Sequence, residues 1–262
     1  MKPTCLASSS SGNCYVFEFS IDGVPTRIMV ECGIPLKAIL GRLSKEEIDI
    51  STISACLITH AHGDHSQAAR DLARFKIPLF ASKETLESLS VEGNILAVNG
   101  KNKICDGVYV LPFEVEHDCP GSLGFIIKTK EECVIFVNDH KRWTVDISAF
   151  KPNYVFIECN YDHKVVYAQY HALKKKLEEG NLPYQDLVET RQTLKQHERN
   201  INSHCSLAGT IKGLNKLNLK NCKAIFLMHL SDRYANEYKM KNTISQKTQV
   251  LTYACQKNGG IK

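Results

Sequence analysis

Apolar and polar positions fall into short blocks through the first two thirds of the chain. Runs of β-branched and apolar residues at 14–19, 27–30, 53–59, 108–115, 123–128, 134–137 and 154–158 have strand length and are bounded by Gly, Pro, Asn or Asp. Helical spacing lies between them, notably at 66–75 and 84–89. The order mixes hairpins with β-α units, which predicts an α/β (α+β) architecture of two sheets with helices outside.

The pattern changes after Tyr161. Residues 163–203 are rich in Lys, Glu, Gln and Arg and carry helical spacing, with helices expected at 165–179 and 184–200 around the turn Gly180-Asn181-Leu182-Pro183. A segment this polar reads as a solvated helical hairpin inserted between core elements. The competing reading is a basic lid over a substrate groove, built from Lys174, Lys175, Lys176, Arg191, Lys195 and Arg199. A chain of 262 residues can bury one large core. The expectation is therefore a single domain over 1–262 with an insert at about 163–203.

Composition narrows the class. With 43% hydrophobic and 23% charged residues, the chain is an ordinary globular one, and no apolar run approaches the ~18 residues that cross a bilayer. Met1-Lys2-Pro3-Thr4 leads quickly into the polar run Ser8-Ser9-Ser10-Ser11-Gly12-Asn13, without the apolar stretch of a secretory signal. The 11 cysteines are odd in number and scattered, with no C-x-x-C pair, and most sit in apolar runs as small core side chains. Together these features place the protein in the reducing cytoplasm. The formal charge of +5 leans towards anionic ligands.

The chemistry concentrates in Cys56-Leu57-Ile58-Thr59-His60-Ala61-His62-Gly63-Asp64-His65-Ser66, an apolar strand ending in H-x-H-x-D-H. Imidazole and carboxylate are ligands that zinc or a similar divalent ion accepts without thiolate. Residues two apart at a strand end face the same way, so His60 and His62 can reach one ion. Gly63 lets the chain turn, after which Asp64 and His65 can serve a second. A lone histidine is usually a surface or core residue, but three histidines and an aspartate in six residues would be costly to bury without a metal.

This turn resembles the signature of the metallo-β-lactamase superfamily. The resemblance implies a four-layer αββα sandwich with a dinuclear site at the sheet edges, holding two divalent ions, Zn2+ or Mn2+. It assigns His60, His62 and His117 to one ion, Asp64, His65 and His229 to the other, and Asp139 as the bridge. Each later residue follows a strand-like run. Glu31 stands where many relatives have a supporting aspartate. Asn138-Asp139-His140-Lys141-Arg142 also departs from the family's small residues and glycine, and sets Lys141 and Arg142 beside the proposed bridge.

Residues beyond the ligands bear on the substrate. Ser203-His204-Cys205-Ser206, the Leu227-Met228-His229-Leu230-Ser231-Asp232-Arg233-Tyr234 segment and the acidic Glu158-Cys159-Asn160-Tyr161-Asp162 turn resemble ribonuclease Z-type phosphodiesterases. The opening Leu6-Ala7-Ser8-Ser9-Ser10-Ser11-Gly12-Asn13-Cys14 and the His229-Leu230-Ser231 triplet are closer to the YycJ/WalJ-like branch, whose members are regarded as DNA exonucleases. That resemblance runs through most of the chain. It implies a nuclease acting on nucleic acid, DNA rather than RNA, in which two ions about 3.5–4 Å apart activate a bridging hydroxide for attack on a phosphodiester. Asp64, His204 and Arg233 are then the catalytic candidates, His204 as proton donor or phosphate ligand and Arg233 as a fork on non-bridging oxygens. A helix-capping histidine and a surface arginine are the plainer readings of the last two. Two further readings compete for the whole: hydrolysis of a small thioester, lactone or cyclic phosphate at the same site, and a non-catalytic protein that binds nucleic acid or a partner.

Overall fold

The computed structural model describes residues 1–180 and 182–262. Asn181, within the turn expected between the two insert helices, lies outside the described residues. The first sheet contains β1 (Lys2–Ser9), β2 (Gly12–Ile21), β3 (Val24–Cys32), β4 (Ile53–Leu57), β5 (Leu79–Ala81) and β6 (Asn94–Ile95) in that spatial order. Strands β1 to β3 pair antiparallel, and β3 to β6 pair parallel. The second sheet runs from β7 (Asn102–Cys105) through β8 (Val108–Glu114), β9 (Leu123–Lys128), β10 (Cys133–Val137), β11 (Tyr154–Glu158) and β12 (Ala224–Met228) to β13 (Thr252–Ala254). It is antiparallel up to β10 and parallel from β10 to β13. The helices are α1 (Leu36–Lys45), α2 (Gly63–Ser66), α3 (Ala69–Arg74), α4 (Lys83–Leu89), α5 (His163–Glu178), α6 (Tyr184–Ser203), α7 (Leu207–Leu214) and α8 (Glu237–Thr248).

The layers follow from strands that are apolar on both faces. In β2, Tyr15, Phe17 and Phe19 point into the space between the sheets, where they meet Phe125, Phe136, Phe156 and Phe226. Its alternate residues Cys14 and Val16 point outward under Ile39 and Leu43 of α1, Leu72 of α3 and Leu86 of α4. The second sheet does the same: Phe156 and Phe226 stack inward at 4.3 Å, while Val155, Ile157, Ile225 and Leu227 face Leu207 and Leu214 of α7 and Met240 and Ile244 of α8. The result is the expected αββα sandwich.

Several elements differ from the sequence expectation. β1 is a strand rather than a polar loop: Ser8 and Ser9 are buried, and their polarity hides the strand from a hydrophobic pattern. The helix expected over 66–75 is two short helices, because the Ala68 N–H bonds to the Cys32 carbonyl at the end of β3 instead of continuing α2. Helices α1 and α8 were not marked by the pattern. The insert forms two helices as expected, each beginning or ending within a few residues of its expected bounds. It is thinly attached, with Val166 the one buried residue of α5 and Thr190, His197 and Ser203 those of α6. At its root, Asp162 caps α5 by accepting from the Lys164 N–H at 3.0 Å and pairs with Lys239 Nζ at 2.5 Å.

Candidate metal centre

The candidate ligands stand just beyond the C-terminal ends of core strands: His60 after β4, His117 after β8, Asp139 after β10 and His229 after β12. The chain packs tightly enough here to demand a glycine, since a Cβ on Gly33 would lie 1.7 Å from the Asp64 carbonyl oxygen. Glu31, Asp139 and His229 all adopt left-handed backbone, with φ of 63°, 42° and 55°. Asp and His tolerate this region better than most side chains and Glu does not, so the strain that the surrounding packing must support is greatest at Glu31.

The structure brings all seven sequence-predicted ligands together in two adjoining groups, each with its donor atoms within 4.8 Å of one another. In the first, His62 Nδ1 lies 3.1 Å from His60 Nε2 and 3.3 Å from His117 Nε2. In the second, His65 Nε2 is 3.4 Å from Asp64 Oδ2 and 3.3 Å from Asp139 Oδ2, while His229 Nε2 is 3.5 Å from Asp64 Oδ2. Asp139 Oδ2 also lies 3.9 Å from His117 Nε2, which puts Asp139 between the groups.

The hydrogen bonds behind the first group fix the tautomers of His60 and His117. The Thr59 hydroxyl donates to Glu31 Oε1 at 2.5 Å, so it accepts from His60 Nδ1 at 2.9 Å and leaves the lone pair on Nε2. The Ser203 carbonyl can only accept, so His117 Nδ1 donates to it at 2.9 Å and again leaves Nε2 bare. Two lone pairs therefore face His62 Nδ1, which can answer them with its own proton or, deprotonated there, join them as a third donor to a cation. In the second group, Asp139 Oδ1 and His229 Nε2 are buried without a hydrogen-bond partner. Both donor sets fit divalent ions.

Electrostatics point the same way. Burial opposes charge on His65, yet the Asp139 and Glu31 carboxylates outweigh it and raise the imidazole well above its ordinary value. His229 behaves alike: burial opposes, but Asp139, Asp64 and Glu158 push it up to about 10. Asp139 is held well below the carboxylate range by His229, His65 and His204 in spite of its burial. The pocket's carboxylates demand positive charge, which ions would supply while releasing those protons.

Supporting residues complete the site: Glu31, marked from the sequence as such, and others from the Glu158 turn and the serine-rich opening, whose individual roles the sequence left unassigned. Glu158, the last residue of β11, accepts from His204 Nδ1 at 2.7 Å, the His140 N–H at 2.8 Å and the Cys205 N–H at 3.1 Å. Its signal was a carboxylate ending a buried apolar strand. Ser8 Oγ accepts from the His229 N–H at 2.9 Å, and Asn13 Nδ2 reaches the Asp64 carbonyl at 3.2 Å. These contacts give the serine-rich opening its structural purpose. Glu31 lies 3.2 Å from His65 Nδ1 as well as on Thr59, so one carboxylate backs a histidine in each group.

Above the two groups lies a groove of about 410 Å³. His204 and Arg233 both line it, with Ser231 beside Arg233, and Gln196, Arg199 and Asn200 of α6 form the opposing wall. Of the six basic insert residues considered for a lid, Arg199 is the one that reaches this groove among the described residues. Lys141 and Arg142 do not face it. Their side chains turn to Glu116, at 3.8 and 2.5 Å, so adjacency to Asp139 in sequence does not place their charge at the site. A larger cavity, about 600 Å³ between Met1, Asp22, Lys130 and Glu132, contains none of the candidate ligands.

Comparison with known proteins agrees with this geometry. Residues 26–229 match the model of the Beta-lactamase superfamily domain. The chain is 25% identical to the exodeoxyribonuclease WalJ of Streptococcus pneumoniae, over 84% of this chain and 87% of that one. Among solved structures, Zn2+-bound PqqB from Methylobacterium extorquens covers 100% of this chain and 99% of its own at a TM-score of 0.68 and 12% identity. The short form of human tRNase Z covers 89% of this chain and 94% of its own at 0.57 and 16%. These two likenesses concern the fold. No helix among the described residues is long and apolar enough to cross a membrane.

Proposed function

The chain belongs to the β-lactamase superfamily, and from that premise we propose that it is a metal-dependent phosphodiesterase acting on nucleic acid, specifically a DNA exonuclease. The observation that carries the reading is the groove itself, where Arg199, Arg233 and His204 line the same space as His62, Asp64, Asp139 and His229. A phosphodiester needs this combination of cationic forks and a proton donor. The likeness to WalJ supports DNA as the polymer.

His60, His62 and His117 would hold one ion, and Asp64, His65 and His229 the other, with Asp139 shared. Zinc suits these ligands best, and manganese is the alternative. Divalent ions held there would activate water and neutralise charge on the phosphoryl oxygens. The chain's own groups do the rest. Arg233 and Arg199 bind non-bridging oxygens from opposite sides of the groove. Glu158 fixes His204 through Nδ1, and His204 lines the groove, where it delivers a proton to the departing oxygen.

Purified protein with added zinc or manganese is expected to shorten labelled single- or double-stranded DNA from an end and to lose that activity on Asp64→Ala. Absence of cleavage of any DNA contradicts the proposal, and rapid turnover of a thioester, lactone or cyclic phosphate in its place identifies a small-molecule hydrolase.

A further inference from the structure

One side chain outside the ligand groups touches both the metal centre and the insert. Asp118 Oδ1 lies 3.1 Å from His117 Nε2 and 3.8 Å from His62 Nε2. Its other oxygen accepts from Ser203 Oγ at 2.9 Å and faces Arg199 Nε at 3.4 Å. Ser203 ends α6, and Arg199 stands one turn earlier in the wall of the groove. A single half-exposed carboxylate thus spans two functional parts that are distant in sequence.

We infer that Asp118 is a positioning residue that couples cation binding at His60, His62 and His117 to the seating of the α6 groove wall. The inference rests on the metal reading of that histidine group. With the His117 proton committed to the Ser203 carbonyl, His117 Nε2 and Asp118 Oδ1 are both acceptors. Their close approach is favoured by positive charge beside that nitrogen, which a cation held by His60, His62 and His117 would supply. Oδ1 also lies 3.8 Å from His62 Nε2, on the far side of that ring from Nδ1, where a small shift would let it accept that N–H. This is the outer carboxylate that commonly orients a ligating histidine. Oδ2 meanwhile keeps Ser203 and Arg199 in place. The carboxylate is exposed enough that water competes for it, so its hold on α6 is weak until the ion defines its orientation. Metal loading and groove closure are thereby linked through one residue, and the link acts on substrate binding as well as on the metal.

The test uses the full chain, stripped by a chelator and titrated with zinc against a chromogenic competitor, with hydrogen exchange followed over residues 196–204 at each zinc level. In the wild type, zinc is expected to slow exchange across this segment. Asp118→Ala should weaken one of the two zinc affinities about 10- to 100-fold and remove the zinc-dependent slowing. Ser203→Ala, which leaves the carbonyl bond to His117 intact, should keep both zinc affinities within about twofold while losing most of the slowing. Asp118→Asn serves in place of the alanine variant if that chain does not fold. Zinc binding and segment protection unchanged in the Asp118 variant overturn the inference alone. A wild-type chain that takes up no zinc overturns the metal reading and this inference with it.

Discussion

The strand ends and the helical insert meet at one groove, but they are built on opposite principles. His60, His65, Asp139 and His229 are buried, their polar atoms are held by residues from four or five separate segments, and three of the surrounding backbone positions are left-handed. The insert exposes most of its surface, buries four residues along its two helices, and reaches the site only through the last turns of α6. The difference shows where precision is needed. Groups proposed to hold ions must be fixed before the ions arrive, whereas a wall proposed to receive a flexible polymer can be attached lightly and adjusted.

This contrast orders the expected effects of substitution. Asp139→Asn should have the largest effect, a loss on the order of 10⁴-fold in turnover as about 5 kcal/mol of metal-based stabilisation disappears, together with a fall in bound metal below two ions per chain. Steady-state kinetics with metal analysis checks both. Unchanged metal content would remove Asp139 from the shared position.

His204→Ala tests the seam between the regions. Its turnover should fall roughly 10²-fold with metal content retained, because His204 lines the groove and is fixed by Glu158 rather than belonging to either of the two proposed ligand groups. Loss of metal in this variant would instead make His204 a ligand, an outcome that its proximity to Asp139 and Glu158 keeps physically specific.

The insert's root should respond in stability. Burial raises the Asp162 carboxyl, but Lys239 and the Lys164 N–H outweigh it, so the folded value lies below the ordinary one. A carboxyl lowered by folding stabilises fully above its unfolded value, about 3.9, and loses that contribution as pH falls through the folded value. Asp162→Asn keeps an oxygen for the helix cap but loses the charge pairing with Lys239, and is therefore expected to cost about 0.5–1 kcal/mol at pH 7. The gap to wild type should narrow in acid. Thermal melts across pH measure this, and a gap independent of pH would contradict it. At the insert's surface, Lys175→Gln should change stability by less than about 0.5 kcal/mol and leave DNA cleavage unaltered. A large loss of cleavage there would restore the basic-lid reading of α5.

The same contrast explains what could be read from the sequence. The convergence of the candidate ligands was legible because H-x-H-x-D-H is local and because His117, Asp139 and His229 each follow a recognisable strand. The layered fold was legible from strands apolar on both faces. Apart from Glu31, the supporting residues were hidden because their roles arise from convergence: Ser8 acts on His229 across 221 positions, and Asp118 matters through Ser203, 85 positions on. Lys141 and Arg142 show the converse, as neighbours of Asp139 whose side chains leave for Glu116. Ser8 and Ser9 look like loop residues until β1 buries them against the site.

The central claim is that two cations share this one edge of the sandwich. Crystals grown with zinc and measured above and below its absorption edge test it directly. Two anomalous peaks are expected about 3.5–4 Å apart, one among His60, His62 and His117 and the other among Asp64, His65 and His229, with Asp139 between them. Absence of both peaks, or zinc bound only elsewhere on the chain, would contradict the account.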